Sequence, residues 1–67
     1  MKALGKRIKE LRKAQGLSQE DLSYEADIPL SQVGRIERGE INPTISTIAI
    51  IASALNIEIK EIFNFNY

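Results

Sequence analysis

Residues 29–40, PLSQVGRIERGE, carry side chains able to make directed hydrogen bonds at helical spacing. Ser31, Gln32 and Arg35 fall at i, i+1 and i+4 on one edge of a helix, with Leu30 beside them. Val33 and Ile36 fall on the opposite edge. An arginine fork can donate bidentately to guanine O6 and N7, and a glutamine amide can pair with adenine. Leucine or a serine methylene can pack on a thymine methyl. The same polar edge is also what any exposed helix needs to stay solvated. The segment alone leaves both readings open, so the surrounding elements must decide between them.

Those elements read as helices. Leu4, Ile8 and Leu11 recur at i, i+4 and i+7. Gly16 is placed to close that helix in a left-handed conformation, with Leu17 folding back over the last turn. Ser18 caps the next helix and Asp21 stands in the capping-box position three residues on. Leu22 and Ala26 face inward there, and Asp27 ends the pattern in a turn that aspartate tolerates. Pro29 suits the first turn of a third helix, which Gly39 terminates. Thr44 caps a fourth helix running to about Leu55, with Ile45, Ile48, Ile51, Ala52 and Leu55 inward and Asn56 as its left-handed end. A short fifth helix over 58–64 carries Ile59, Ile62 and Phe63. No segment sustains period-two alternation, so the expected fold is all-α, with five helices and no repeats or linkers.

At 67 residues the chain is one domain near the lower size limit, with neither cysteine nor histidine to supply a disulfide or the usual zinc site. Apolar residues, 43% of the chain, must make the core. The N-terminus MKALGKRIKE is charged without an apolar signal region, and the apolar stretch at 45–55 is too broken and short for a membrane span. A cytoplasmic setting is therefore expected. Net charge is zero but segregated. Residues 1–17 set Lys2, Lys6, Arg7, Lys9, Arg12 and Lys13 against Glu10, a net of +5. Residues 18–27 hold Glu20, Asp21, Glu25 and Asp27, a net of −4. Indiscriminate nucleic-acid binding is disfavoured, while a locally basic surface is allowed. Enzyme chemistry finds no histidine or cysteine, no glycine-rich phosphate loop and no evident paired carboxylates, and no cofactor or metal is expected.

Two short helices joined by a tight turn fit residues 19–38, with Leu22, Ala26, Ile28, Val33 and Ile36 apolar where they must pack and Ser23 small at the crossing. Together, LGKRIKELRKAQGLSQEDLSYEA, SQVGRIERGEINPT and IASALNI resemble the phage repressor and Cro family of helix-turn-helix domains, also called the xenobiotic-response-element family. The resemblance covers residues 4–63, leaving 64–67 as a tail, and the length is also similar to controller proteins of restriction–modification systems. Two positions depart from the family pattern: Asp27 stands where glycine is usual, and Pro29 where serine or another capping residue is usual.

The resemblance implies a compact five-helix lambda-repressor-like domain that binds double-stranded DNA and regulates transcription. It implies a third helix in the major groove, with Leu30, Ser31, Gln32 and Arg35 toward the bases. It implies phosphate contacts from Gln19, and Arg38 and Asn42 flank the following loop as further contacts. It implies a partly buried Arg12–Glu37 ion pair tying the first helix to the end of the third. A few base contacts bind weakly alone, so a homodimer on a palindromic operator is expected. Ile50, off the inward stripe where the family commonly has lysine, with Ile57, Ile59, Phe65 and Tyr67, is the expected dimer surface. With the chain ending after the fifth helix, a stand-alone regulator without a small-molecule domain is expected. The competing reading is an antitoxin-type interaction module whose DNA binding is secondary.

Overall fold

The computed structural model describes residues 2–65. Its elements are α1 (Lys2–Ala14), α2 (Gln19–Ala26), α3 (Leu30–Glu37), α4 (Ile45–Ala54) and α5 (Ile59–Ile62), with no strand among the described residues. Packing runs α1 on α3 and α5, α2 on α3 and α4, and α4 on α5. Leu4, Ile8, Leu22, Ala26, Val33, Ile36, Ile48, Ile51, Ala52, Leu55 and Ile62 form the buried core. No helix of the described residues is long and apolar enough to cross a membrane.

Local chemistry sets the helix ends. Ser18 accepts from the Asp21 N–H while its own N–H donates to the Asp21 carboxylate, completing a capping box. That bond, from the Ser18 backbone, holds Asp21 below the usual aspartate range. Thr44 caps α4 by accepting from the Thr47 N–H. The first four helices all finish in one way. Gly16, Asp27, Gly39 and Asn56 take positive φ, and the next residue donates its N–H to the carbonyl five positions back. At three of these ends the donating residue is Leu17, Ile28 or Ile57, each packed against the core. At the fourth it is Glu40.

Asp27 therefore fills the turn position at φ 55 without glycine. Ser23 secures the same turn by donating its hydroxyl to the Ile28 carbonyl at 2.6 Å. Pro29 lies one residue earlier than expected: it is the extended N-cap of α3, not its first helical residue, and makes no side-chain cap. Its carbonyl accepts from the N–H groups of Gln32 and Val33.

The apolar pattern misleads at the start of α4, and the fifth helix is shorter than expected. Ile45 is 68% exposed, because it opens α4 in the first turn beyond the edge of the core. The fifth helix spans only Ile59–Ile62 and seats Ile62 alone in the core, leaving Ile59 and Phe63 exposed. A tight turn, with the Phe65 N–H donating to the Phe63 carbonyl, follows. Phe65 then packs against the core.

Candidate nucleic-acid interface

Helix α3 is split along its length. Its inner side buries Val33, Gly34, Ile36 and Glu37, while Leu30, Ser31 and Arg35 are exposed and Gln32 is half-buried. Burial of Val33 and Ile36 fixes the rotation of the helix, and that rotation sets the outward aim of the polar edge. Ser31, Gln32 and Arg35, read from spacing, thus lie on one accessible edge, with Leu30 exposed at the start of the helix. Asn42 is exposed in the loop beyond it.

The lower end of α3 is anchored by a buried ion pair. The Arg12 Nε and Nη2 donate to the two Glu37 carboxylate oxygens at 2.7 and 3.0 Å. Arg12 Nη1 donates to the Leu17 carbonyl at 2.7 Å, and Gln19 Nε2 donates to Glu37 Oε1 at 3.0 Å. Both charges are thus satisfied by fixed partners, and no buried side-chain polar atom among the described residues lacks a hydrogen bond. Donating to the Glu37 carboxylate holds the Arg12 pKa above its ordinary value. Gln19, read as a phosphate contact, spends one amide N–H on this network, so its side chain is held in place by Glu37.

Two buried glycines were not singled out by spacing. A Cβ on Gly34 would lie 2.9 Å from Arg38 Nη1 and 3.7 Å from Gln19 Oε1. The missing side chain lets Arg38 lie back along α3, which brings Arg38 and Gln19 to one place. A Cβ on Gly5 would strike the Ile36 carbonyl oxygen, so α1 crosses the end of α3 backbone to backbone. A glycine inside an amphipathic helix was the available signal.

Arg38 and Arg35 both face Glu40. Arg38 Nε donates to Glu40 Oε2, and Arg35 Nε lies 3.9 Å from Glu40 Oε1. The hydrogen bond with Glu40 raises the Arg38 pKa, and the same bond holds the Glu40 carboxyl below its usual range. Arg7, one of the basic residues of the first segment, is engaged with α5. Its Nε donates to the Glu61 carbonyl at 2.9 Å and its Nη2 lies 3.6 Å from the Glu61 carboxylate. Gln15 also ties α1 to the end of α4 through the Leu55 carbonyl.

The residues read as a dimer surface divide. Ile50 and Ile59 are 43% and 41% exposed. Ile57 and Phe65 are partly buried on the chain's own core, because the end of α4 and the turn after α5 fold them inward. Phe63, placed by the sequence on the fifth helix, is an exposed aromatic of this region. Tyr67 lies outside the described residues. No group of acidic side chains among the described residues is arranged to hold a metal ion.

This geometry agrees with three kinds of relative. Over 59 residues the chain is 39% identical to the immunity repressor protein of Bacillus phage phi105, an alignment covering 88% of this chain and 41% of the repressor. The crystal structure of the restriction–modification controller protein C.AhdI from Aeromonas hydrophila superposes with a TM-score of 0.91 at 44% identity, covering 92% of this chain and 94% of that one. The biofilm master regulator SinR, solved in complex with DNA, superposes with a TM-score of 0.85 at 29% identity, covering 91% of this chain and 98% of that one. The helix-turn-helix family profile matches residues 8–62. With α2, the Asp27 turn and the split α3 helix inside that match, the chain belongs to the helix-turn-helix family.

Proposed function

We propose that this protein is a sequence-specific double-stranded DNA-binding regulator of transcription that inserts α3 into the major groove. The observation that carries this reading is the division of α3, with one edge locked into the core and the other presenting Leu30, Ser31, Gln32 and Arg35. Arg35 reads a guanine, Gln32 an adenine edge, and Leu30 and Ser31 pack against neighbouring bases. Gln19 and Arg38, side by side over Gly34, bind a backbone phosphate, with Asn42 beside the same strand. The molecule acts in the cytoplasm by binding, without catalysis.

Selection of duplexes from a random pool tests the reading. The wild-type protein is expected to enrich one motif. Arg35→Ala should lower the preference for that motif over random sequence by about 10- to 100-fold. Arg38→Ala should weaken binding to all duplexes more evenly and flatten the salt dependence by about one phosphate contact. Equal losses for both variants on both duplexes would overturn the division of roles.

The regulator works as a homodimer on a palindromic operator, through Ile50 on α4, Ile59 on the adjoining α5 and Phe63 just after it. Ile50→Lys places a charge on a residue already 43% exposed, so folding should persist while dimers dissociate. Sedimentation of the wild type as a monomer at high micromolar concentration would overturn the dimer.

A further inference from the structure

Glu40 departs from the pattern of its own fold. The other three helix ends of the same geometry put Leu17, Ile28 or Ile57 at this position and pack it on the core. Here Gly39 turns the chain, the Glu40 N–H bonds the Arg35 carbonyl, and the side chain is aimed back at α3 as an exposed carboxylate. Its two oxygens are divided between two arginines, Oε2 to Arg38 Nε and Oε1 toward Arg35 Nε. The three side chains are 50–59% exposed, so a duplex can reach all of them.

We propose that Glu40 is a specificity-determining positioning residue for the DNA binding inferred above, on which this proposal rests. It occupies the Nε side of both guanidinium groups. The Nη1–Nη2 side of Arg35, the pair of donors that matches guanine O6 and N7 end-on, stays available. A correct base step is therefore met by an arginine already oriented, with its partner carboxylate kept. Random DNA offers Arg35 and Arg38 chiefly phosphates, and there the tethered carboxylate competes for the same donors and repels the backbone. Glu40 thus lowers attraction for sequence-independent contacts while it holds Arg35 for the base edge. The segregated but neutral charge of the chain is consistent with such a restraint on basic side chains near the groove.

The test measures binding of the full chain to its selected duplex and to a random-sequence duplex of equal length, between 50 and 200 mM salt. Glu40→Gln should bind the random duplex about 3- to 10-fold more tightly. Its salt slope on that duplex should be steeper by about 0.9 for each additional phosphate neutralised. On the selected duplex the gain from the released Arg38 is offset by the loss of a held Arg35. Affinity there should stay within about 3-fold of wild type, so the preference falls by the difference. Glu40→Asp keeps the charge and should keep the low random-duplex affinity.

Equal increases in affinity for both duplexes, or no change on either, would overturn the role of Glu40. A wild-type protein that selects no sequence overturns the regulator reading itself, which is distinct from a selective wild type with an indifferent Glu40→Gln variant. Glu40 is off the core, with a half-exposed side chain, so unchanged thermal melting of both variants is expected.

Discussion

Glu37→Ala should lower the stability of this domain by about 3–5 kcal/mol, because it strands the buried Arg12 guanidinium. A chain of this size holds only about 3–10 kcal/mol in total, so the variant should be largely unfolded near physiological temperature. If residual structure survives, its melting temperature should fall by roughly 20 °C, read by thermal circular dichroism. Three separate bonds end on the removed carboxylate: two from Arg12 and one from Gln19. Both side chains are buried, so the guanidinium left behind is held away from bulk water. The pair is not itself proof of extra stability, because desolvating two charges offsets most of their attraction. Replacing both partners together, as Arg12→Leu with Glu37→Leu, should therefore recover much of what Glu37→Ala loses. A melting temperature for Glu37→Ala within a few degrees of wild type would show that the pair does not hold α3.

How much of this was legible beforehand depends on the range of the interaction concerned. Ser18 with Asp21, Thr44, Gly16 and Gly39 act within one turn of themselves, so residue type alone locates the helix ends. Asp27 and Asn56 needed only the knowledge that short polar side chains tolerate positive φ. The outward edge of α3 was legible too, because Val33 and Ile36 fix its rotation by period. Side chains whose fate depends on distant elements were not. Ile45 repeats the inward spacing of α4 but lies beyond the reach of the core. Phe65 packs on the core and Phe63 stays exposed because α5 stops at Ile62 and the chain turns sharply after it. Arg7 counts toward the basic surface of the first segment, yet it faces Glu61, 54 positions away. Glu40 looks like one more surface acid until the left-handed Gly39 aims it at Arg35 and Arg38. In each case the missing information is which second segment arrives at the residue.

Gly5→Ala tests that same dependence where local and tertiary preferences predict opposite signs. Inside α1, alanine is the better helix former by about 1 kcal/mol, so local chemistry alone predicts a more stable protein. The tertiary structure predicts the reverse. The added Cβ would stand 2.7 Å from the Glu37 carbonyl oxygen and closer still to that of Ile36. Even close Cα–H contacts to carbonyl oxygen keep about 3.3–3.6 Å, so the overlap exceeds half an ångström. The atoms struck are backbone, and no rotamer change relieves them. Either α1 lifts away or the end of α3 bends, and both moves disturb the Arg12–Glu37 bonds. Overpacking of this kind costs about 1–3 kcal/mol, and the backbone location sets it at the upper end or beyond. The helix-propensity gain is too small to cancel it. Thermal melting should therefore show a loss of roughly 10 °C or more for Gly5→Ala. DNA affinity should fall as well, because either move loosens the anchor of α3. A Cβ on Gly16, by contrast, meets no atom within 4 Å, and its substitution is opposed only by the positive φ of 73°. Gly16→Ala should lose about 1–2 kcal/mol and leave the geometry of α3 and its DNA preference intact. A Gly5→Ala protein as stable as wild type would mean that α1 and α3 do not cross this closely in solution.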